Sequence, residues 1–416
     1  MLTLLQLSDI HFRKKPEELD EYSQMRVRML ETLEDYCKDE SINSILVCGD
    51  IAFSGKQEEY EEKAQVFISE LQAKTGCKNE QVYMVPGNHD KNRDAQGNNT
   101  RALLRDGLIY GNCDSQLLSQ ICQEEPRTMQ RLIEPFEEYI KYASRHRCVS
   151  GAALKLYLGE KSTINDKLYW HSEIGTIGDY RVVLYGINSC LVSDWEDRDN
   201  PQDESKGHLQ YLSKQMYNIN RHRDEISISM MHHPLNFIKA GDDIERIMDG
   251  KFSIQFYGHI HKPSVQKDDT LRIFSGALQP PFKEMESSSD YYPVFNIIQM
   301  DIDDGILQVH IQPYEWKWVD EEDGFFVKEE IRSYQVKIRN DASRKFPKQR
   351  HLKLPENQTA RALEIDLMTR SNRENIIKKM YPDFVLKHDP IADFEVFFAR
   401  LRNDDRYIEL YDHLKQ

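Results

Sequence analysis

The chain contains no run of about 18 consecutive apolar residues, the length a helix needs to cross a bilayer, so no membrane span is expected. Its seven cysteines (37, 48, 77, 113, 122, 148 and 190) are scattered and odd in number, and no two form a CxxC pair. That pattern excludes a disulfide framework and a structural zinc site, and it fits reduced thiols in the cytoplasm. Positive charge is also in short supply. Against 70 Asp and Glu there are 55 Lys and Arg, a formal net charge of -15. An acidic protein repels nucleic acid on average, so broad binding to a phosphate backbone is not expected unless a local basic patch overrides it. Internal repeats and low-complexity tracts are absent. The apolar start, residues 1–7, lacks the basic n-region of a signal peptide and runs straight into Ser8-Asp9-Ile10-His11, so it reads as a first core strand.

What is present is the composition of an ordinary globular protein, 39% hydrophobic and 30% charged over 416 residues. This length suits two or three domains, or one large domain with additions, and buries a sizeable core without staples. Short runs rich in β-branched and apolar residues recur at 2–7, 42–48, 82–85, 181–187, 226–231 and 254–257, and predict buried strands. Between them, residues 22–38 and 60–74 carry apolar side chains at three- and four-residue spacing, the pattern of amphipathic helices. Strands alternating with helices predict an α/β layered core.

The regular pattern breaks at about residue 92. From there to about 170 the sequence predicts a helical insertion, with amphipathic pieces at 103–109, 116–122 and 129–142, that packs on the core or caps the substrate path. Strands are expected again at 271–274, 296–302 and 306–314, with Asp304-Gly305 as a hairpin turn. The expected division is a core over 1–315 that includes the insertion 92–170, a hairpin and basic linker over 316–355, and a small helical region over 356–416. The linker holds seven Lys and Arg between residues 337 and 353 against one acid, Asp341.

Five clusters carry the chemistry, each closing a predicted strand or opening the loop after it. They are Asp9-Ile10-His11, the loop 49–55 with Gly49-Asp50, Pro86-Gly87-Asn88-His89-Asp90, His232-His233-Pro234 and Gly258-His259-Ile260-His261. In open α/β sheets, ligands collect beyond the carboxyl ends of strands, so clusters far apart in sequence converge there. Imidazole, carboxylate and one amide suit manganese, iron or zinc better than calcium. In Asp9-x-His11 and His259-x-His261, an extended backbone would point both side chains the same way. Gly49 and Gly87 precede ligands at sharp turns, where a residue without Cβ tolerates unusual dihedrals. Asp50 is the best candidate to bridge two metals, because a carboxylate has two oxygens to share. One such cluster alone is weak; five in order are not an accident.

The order D-x-H, GD-x-x-x-x-G, GNHD, HHP and GHxH resembles the calcineurin-like metallophosphoesterase superfamily, over about residues 1–280. The resemblance implies two facing mixed β-sheets flanked by helices, a four-layer α/β/β/α sandwich, and two divalent ions. Manganese is favoured, with iron, zinc or magnesium as alternatives. It further implies that Asp9, His11 and His261 hold one ion, that Asn88, His232 and His259 hold the other, and that Asp50 bridges them. His233 competes with His232, but the family places the first histidine of such a pair on the metal. Two ions about 3.5–4 Å apart lower the pKa of a bridging water, and the resulting hydroxide attacks phosphorus in line. His89 is then placed to stabilise the transition state or protonate the leaving oxygen. Asp90 orients a neighbouring group or caps a turn.

For the substrate the expectation is a phosphodiester: a cyclic nucleotide, a nucleotide or a nucleic acid. Leu7-Ser8-Asp9-Ile10-His11, His232-His233-Pro234, Gly186-Ile187-Asn188-Ser189 and residues 207–212 look most like the branch with bacterial class III cyclic-nucleotide phosphodiesterases. Gly258-His259-Ile260-His261-Lys262-Pro263 is also similar to Mre11/SbcD-type nucleases, which would work with a partner such as an ATPase through the C-terminal region. A protein phosphatase is a weaker reading, since the loop 49–55 lacks the second aspartate and the arginine of that motif. A scaffold that lost the chemistry would normally have lost a ligand, and none is replaced.

Overall fold

The computed structural model describes residues 1–14, 20–96, 126–157, 167–193, 224–238, 241–319, 323–338, 358–382 and 406–415, with a few isolated positions between. The stretches at 103–109, 116–122, 207–212 and 391–402, and the basic run beyond Ile338, lie largely outside the described residues.

Among the described residues thirteen strands are formed: β1 Leu2–Leu7, β2 Ser44–Val47, β3 Val82–Met84, β4 Tyr169–Ile177, β5 Tyr180–Ile187, β6 Glu225–Met231, β7 Ile254–Tyr257, β8 Ser264–Lys267, β9 Leu271–Phe274, β10 Val294–Asp303, β11 Ile306–Trp318, β12 Gly324–Lys328 and β13 Arg332–Val336. The first sheet runs β12-β11-β10-β1-β2-β3, with β13 also on β11; the second runs β4-β5-β6-β7-β9-β8. Both are mixed. β1, β2 and β3 are parallel to one another, while β10 is antiparallel to β1. β5, β6, β7 and β9 are parallel, with antiparallel β4 and β8 at the edges. Both sheets contribute to one apolar core, in which Leu4, Leu46 and Ile297 of the first join Leu184, Ile228 and Phe256 of the second. β1, β2 and β6 are buried along their whole length, as runs without alternation predict for strands covered on both faces.

The helix Ser23–Tyr36 buries Met25, Met29, Leu30 and Leu33, the stripe read from its spacing. The segment expected as one helix over 60–74 instead opens with a π-helical turn, Glu59–Ala64, before the α-helix Gln65–Thr75. The wider turn brings two successive side chains to the neighbouring loop. Glu59 accepts from the Ser54 and Lys56 amides, and Tyr60 reaches Asp90. Such turns are commonly placed beside functional sites.

The predicted boundaries shift in two places. β4 begins at Tyr169, inside the stretch read as insertion, because its alternating burial was masked by polar neighbours. Residue 315 falls inside β11, and β12 and β13 both pair with β11, so the segment after it extends the first sheet and is not a separate hairpin.

The C-terminal helices Ala360–Thr369, Arg373–Met380 and Tyr407–Leu414 build a small apolar cluster of their own. It is fastened to the edge strand β3. Arg361 is buried, lies 3.8 Å from the Tyr83 ring centroid, and donates to the carbonyls of Val82 (2.7 Å) and His146. Arg147 pairs with Glu364 at 2.9 Å beside it. The guanidinium thus occupies backbone acceptors that an open sheet edge would otherwise offer to another chain. Arg361→Ala is expected to lower stability by roughly 2–3 kcal/mol, the cost of removing a charged donor from buried acceptors. Chemical denaturation measures it, and a loss below about 0.5 kcal/mol would show that the contact does not hold the two parts together.

Candidate metal centre

All five sequence clusters meet at one end of the sheets. Asp9 and His11 follow β1, Asp50 follows β2, Asn88 and His89 follow β3, His232 follows β6, and His259 and His261 follow β7. Two groupings of ligand atoms result. Asp9, His11 and His261 lie together within 4.8 Å of one another, as do His232, His233 and His259. Asp50 lies between them: its Oδ2 is 3.7 Å from His11 Nε2 and 3.5 Å from His232 Nε2. His89 joins His11 and Asp50 on the open side.

The geometry that produces this convergence differs from the extended pairs expected. Asp9 (φ 52°), His11 (φ 54°), Asp50 (φ 52°), His259 (φ 71°) and His261 (φ 52°) all take left-handed backbone. Non-glycine residues rarely do so, and clustering of such strain marks functional sites. His259 and His261 fall in different groupings, while Asp9 and His11 share one. The two glycines also differ in their reasons. Gly49 needs its positive φ of 98°. Gly87 does not have one; a Cβ there would sit 2.0 Å from Asp50 Oδ1.

Backbone bonds lock the loops together. The amides of Ile10 and His11 both donate to the Asp50 carbonyl at 2.9 Å, and the His89 amide donates to Asp50 Oδ1 at 2.8 Å. Asp90 holds the other side. Its carboxylate accepts from the Ala52 amide (2.9 Å), the Ile51 amide (3.3 Å), the Gly87 amide (2.8 Å) and the Tyr60 hydroxyl (2.7 Å). Burial lifts its pKa to about 6 even against those donors. Asp90 is therefore a loop anchor.

Four of the imidazoles are aimed by a contact to the second nitrogen. His232 Nδ1 donates to the Cys48 carbonyl at 2.8 Å, which leaves Nε2 facing Asn88 Oδ1 at 3.0 Å and Asp50 Oδ2. His261 Nδ1 lies 2.6 Å from Glu284 Oε2, and its Nε2 points to Asp9 Oδ1 (3.2 Å) and His11 Nε2 (3.5 Å). His89 Nδ1 donates to the Phe53 carbonyl at 3.0 Å, so any proton exchange with a substrate falls to its Nε2. His233 Nδ1 lies 3.1 Å from Ser189 Oγ, in the segment 186–189 already marked in the sequence.

The electrostatics fit cations. Burial, reinforced by neighbouring rings, pushes His11 and His259 well below the usual imidazole range, and burial also lowers His232. These rings are thus neutral and offer lone pairs. His259 Nε2 is buried with no hydrogen-bond partner among the described residues. Burial opposes charge on His261 too, but Asp9 and Glu284 on either side raise it to about 10. Burial and the carboxylates of Asp9 and Asp90 push Asp50 well above its ordinary value. Neutral imidazole nitrogens converging on crowded carboxylates, with His11 Nδ1 and His259 Nε2 lacking a hydrogen-bond partner among the described residues, form a donor set that a pair of divalent ions would satisfy.

Sequence reasoning missed two residues here. Lys91 is buried, and its ammonium donates to the carbonyls of Leu191 (3.0 Å) and Ser193 (2.6 Å) near the Phe136 ring, tying the 86–90 loop to the segment after β5. Its position directly after Asp90 was the available signal. Glu284 gave none, since it lies 23 residues beyond His261 in the short helix Phe282–Ser287.

The calcineurin-like phosphoesterase family model matches residues 2–263. The chain belongs to the calcineurin-like phosphoesterase family. In particular, it is 24% identical over 321 residues to the metallophosphoesterase-like protein YydB of Bacillus subtilis (strain 168), covering 73% of this chain. It spans 58% of that relative's length. Among solved structures, Vps29 of Chaetomium thermophilum aligns over 80% of this chain and 97% of its own at 8% identity (TM-score 0.33). Purple acid phosphatase PPD1 of yellow lupin (Lupinus luteus) aligns over 80% and 53% at 12% identity (TM-score 0.39). No helix among the described residues is long and apolar enough to cross a membrane.

Two substitutions test the geometry. Gly87→Ala forces Asp50 aside and is expected to abolish high-affinity metal uptake, read by metal analysis of the purified protein; full loading would contradict it. Glu284→Gln removes the charge that aims His261 and is expected to weaken metal affinity about 10- to 100-fold in calorimetry, the usual effect of losing such a partner.

Proposed function

We propose that this chain is a dinuclear metal-dependent phosphodiesterase. The observation that carries the reading is Asp50 Oδ2 standing at 3.7 and 3.5 Å from imidazole nitrogens of both groupings. Asp9, His11 and His261 would hold one ion, and Asn88, His232 and His259 the other, with Asp50 shared. His232 is preferred to His233 because it groups with Asp9 and Asp50, whereas His233 groups only with other imidazoles. Manganese, iron, zinc and magnesium all accept such donors, and availability often decides among them. Bound there, two divalent ions supply an activated water for in-line attack and neutralise charge developing on the phosphate.

The chain's own residues do the rest. The carbonyl of Phe53 takes the Nδ1 hydrogen of His89, which leaves Nε2 to face the leaving oxygen and, when the ring is protonated, to donate its proton there. Asp90 and Gly87 keep Asp50 and Asn88 at fixed separation. Asp9, Asp50, Asn88, His232 and His259 are buried, while His11, His89 and His261 are partly exposed, so the substrate enters on that side.

Asp50→Asn and His89→Ala are each expected to remove at least about 99% of hydrolysis of bis-p-nitrophenyl phosphate by metal-loaded protein, with the fold intact by circular dichroism. Chelation should do the same to the unaltered chain. Normal turnover in either variant would sink the assignment.

A further inference from the structure

The open side of the centre carries a guanidinium and a row of aromatic rings. Arg13, two residues beyond His11, is exposed, and no carboxylate among the described residues pairs with it. Its neighbours are engaged otherwise: Lys14 pairs with Glu58 at 2.6 Å and Arg26 with Asp20 at 2.5 Å. Arg13 instead lies over the Phe53 ring at 3.7 Å from its centroid. Phe53 is also the residue whose carbonyl fixes His89, and the two rings are 5.4 Å apart. The cation is therefore held beside the proposed leaving-group histidine.

The aromatic row arises from the segment after β9. The amides of Leu278 and Gln279 donate to the carbonyls of Ser8 and Asp9 at 2.9 and 3.1 Å, so the chain follows the Asp9 loop before entering the helix Phe282–Ser287. That helix sends Glu284 to His261, and at its start Phe282 stacks on Tyr22 with ring centroids 5.2 Å apart and planes 21° apart. Trp318 lies 6.3 Å from Phe282. Phe282 is 38% exposed and Trp318 41%. The Tyr22 hydroxyl donates to the Pro280 carbonyl, fixing the pair to the same segment. The charges of both Arg13 and Glu284 act on it, so cation, rings and carboxylate are neighbours.

Folding does not require large rings to stay in water beside a polar centre, whereas a ligand with a flat face and a negative charge uses both features. A guanidinium suits a phosphate oxygen, and stacked aromatic side chains suit a nucleobase of any sequence. We propose that this rim is a nucleotide subsite, in which Arg13 takes a phosphate oxygen and the Tyr22–Phe282–Trp318 row stacks the base. The proposal rests on the phosphodiesterase reading and narrows its substrates to nucleoside phosphodiesters.

Two esters with the same leaving group test it: p-nitrophenyl thymidine 5'-phosphate, which carries a base, and methyl p-nitrophenyl phosphate, which does not. The unaltered, metal-loaded chain is expected to favour the thymidine ester in kcat/KM by roughly tenfold or more. Phe282→Ala should lower that ratio by about tenfold and Phe282→Tyr should restore most of it, while Arg13→Ala raises KM for both esters and Arg13→Lys recovers part of the loss. Calorimetry with thymidine 5'-phosphate gives a readout without turnover, with binding expected to weaken about tenfold in Phe282→Ala. Equal turnover of the two esters by the unaltered chain, or a ratio unchanged in Phe282→Ala, overturns the subsite and leaves the phosphodiesterase standing. No turnover of either ester overturns the phosphodiesterase, and Phe282-dependent binding of thymidine 5'-phosphate would then still uphold the subsite.

Discussion

The loop that carries Asp50 is clamped from both sides, and the rest of the centre depends on that clamp. On one side its carbonyl takes the Ile10 and His11 amides, which fixes the D-x-H segment. On the other, Oδ1 takes the His89 amide, and Asp90 collects the Ile51, Ala52 and Gly87 amides with the Tyr60 hydroxyl. Three strand ends that are unrelated in sequence become one rigid unit. Its Oδ2 is left facing imidazoles of both groups.

This rigidity explains the strain. Five site residues are held in left-handed backbone at a cost of order 1–3 kcal/mol each. The buried sheets and the loop hydrogen bonds over-determine those conformations, so the chain does not relax them. Imidazoles fixed by Cys48, Phe53 and Glu284 through their second nitrogens add the same kind of constraint at side-chain level. Metal sites depend on such outer partners for ring orientation and tautomer.

The periphery shows a division of labour. The C-terminal helices close the β3 edge through Arg361, and β3 is the strand that delivers Asn88 and His89. The segment after β9 lines the Asp9 loop and brings Glu284 and Phe282 to the opposite edge. One support packs on a sheet edge and the other on the Asp9 loop, and both come from parts of the chain beyond the sequence motifs.

The sequence by itself determined which side chains gather at the strand ends and the strands that present them. Gly49-Asp50, Asn88-His89 and the paired histidines were legible because each closes a short apolar run, and buried parallel strands need such runs. It also gave the helix stripe Met25, Met29, Leu30 and Leu33, since a 3.6-residue period leaves a local signature. Tertiary structure alone decided how the clusters divide. His259 and His261 are two residues apart yet fall in different groupings, whereas Asp9 and His11, with the same spacing and the same left-handed backbone, share one. Gly87 is required by an approach of Asp50 from 37 residues away in the chain, and Glu284 is required by a ring 23 residues before it. Such contacts depend on distances between elements, and no period or local propensity records them.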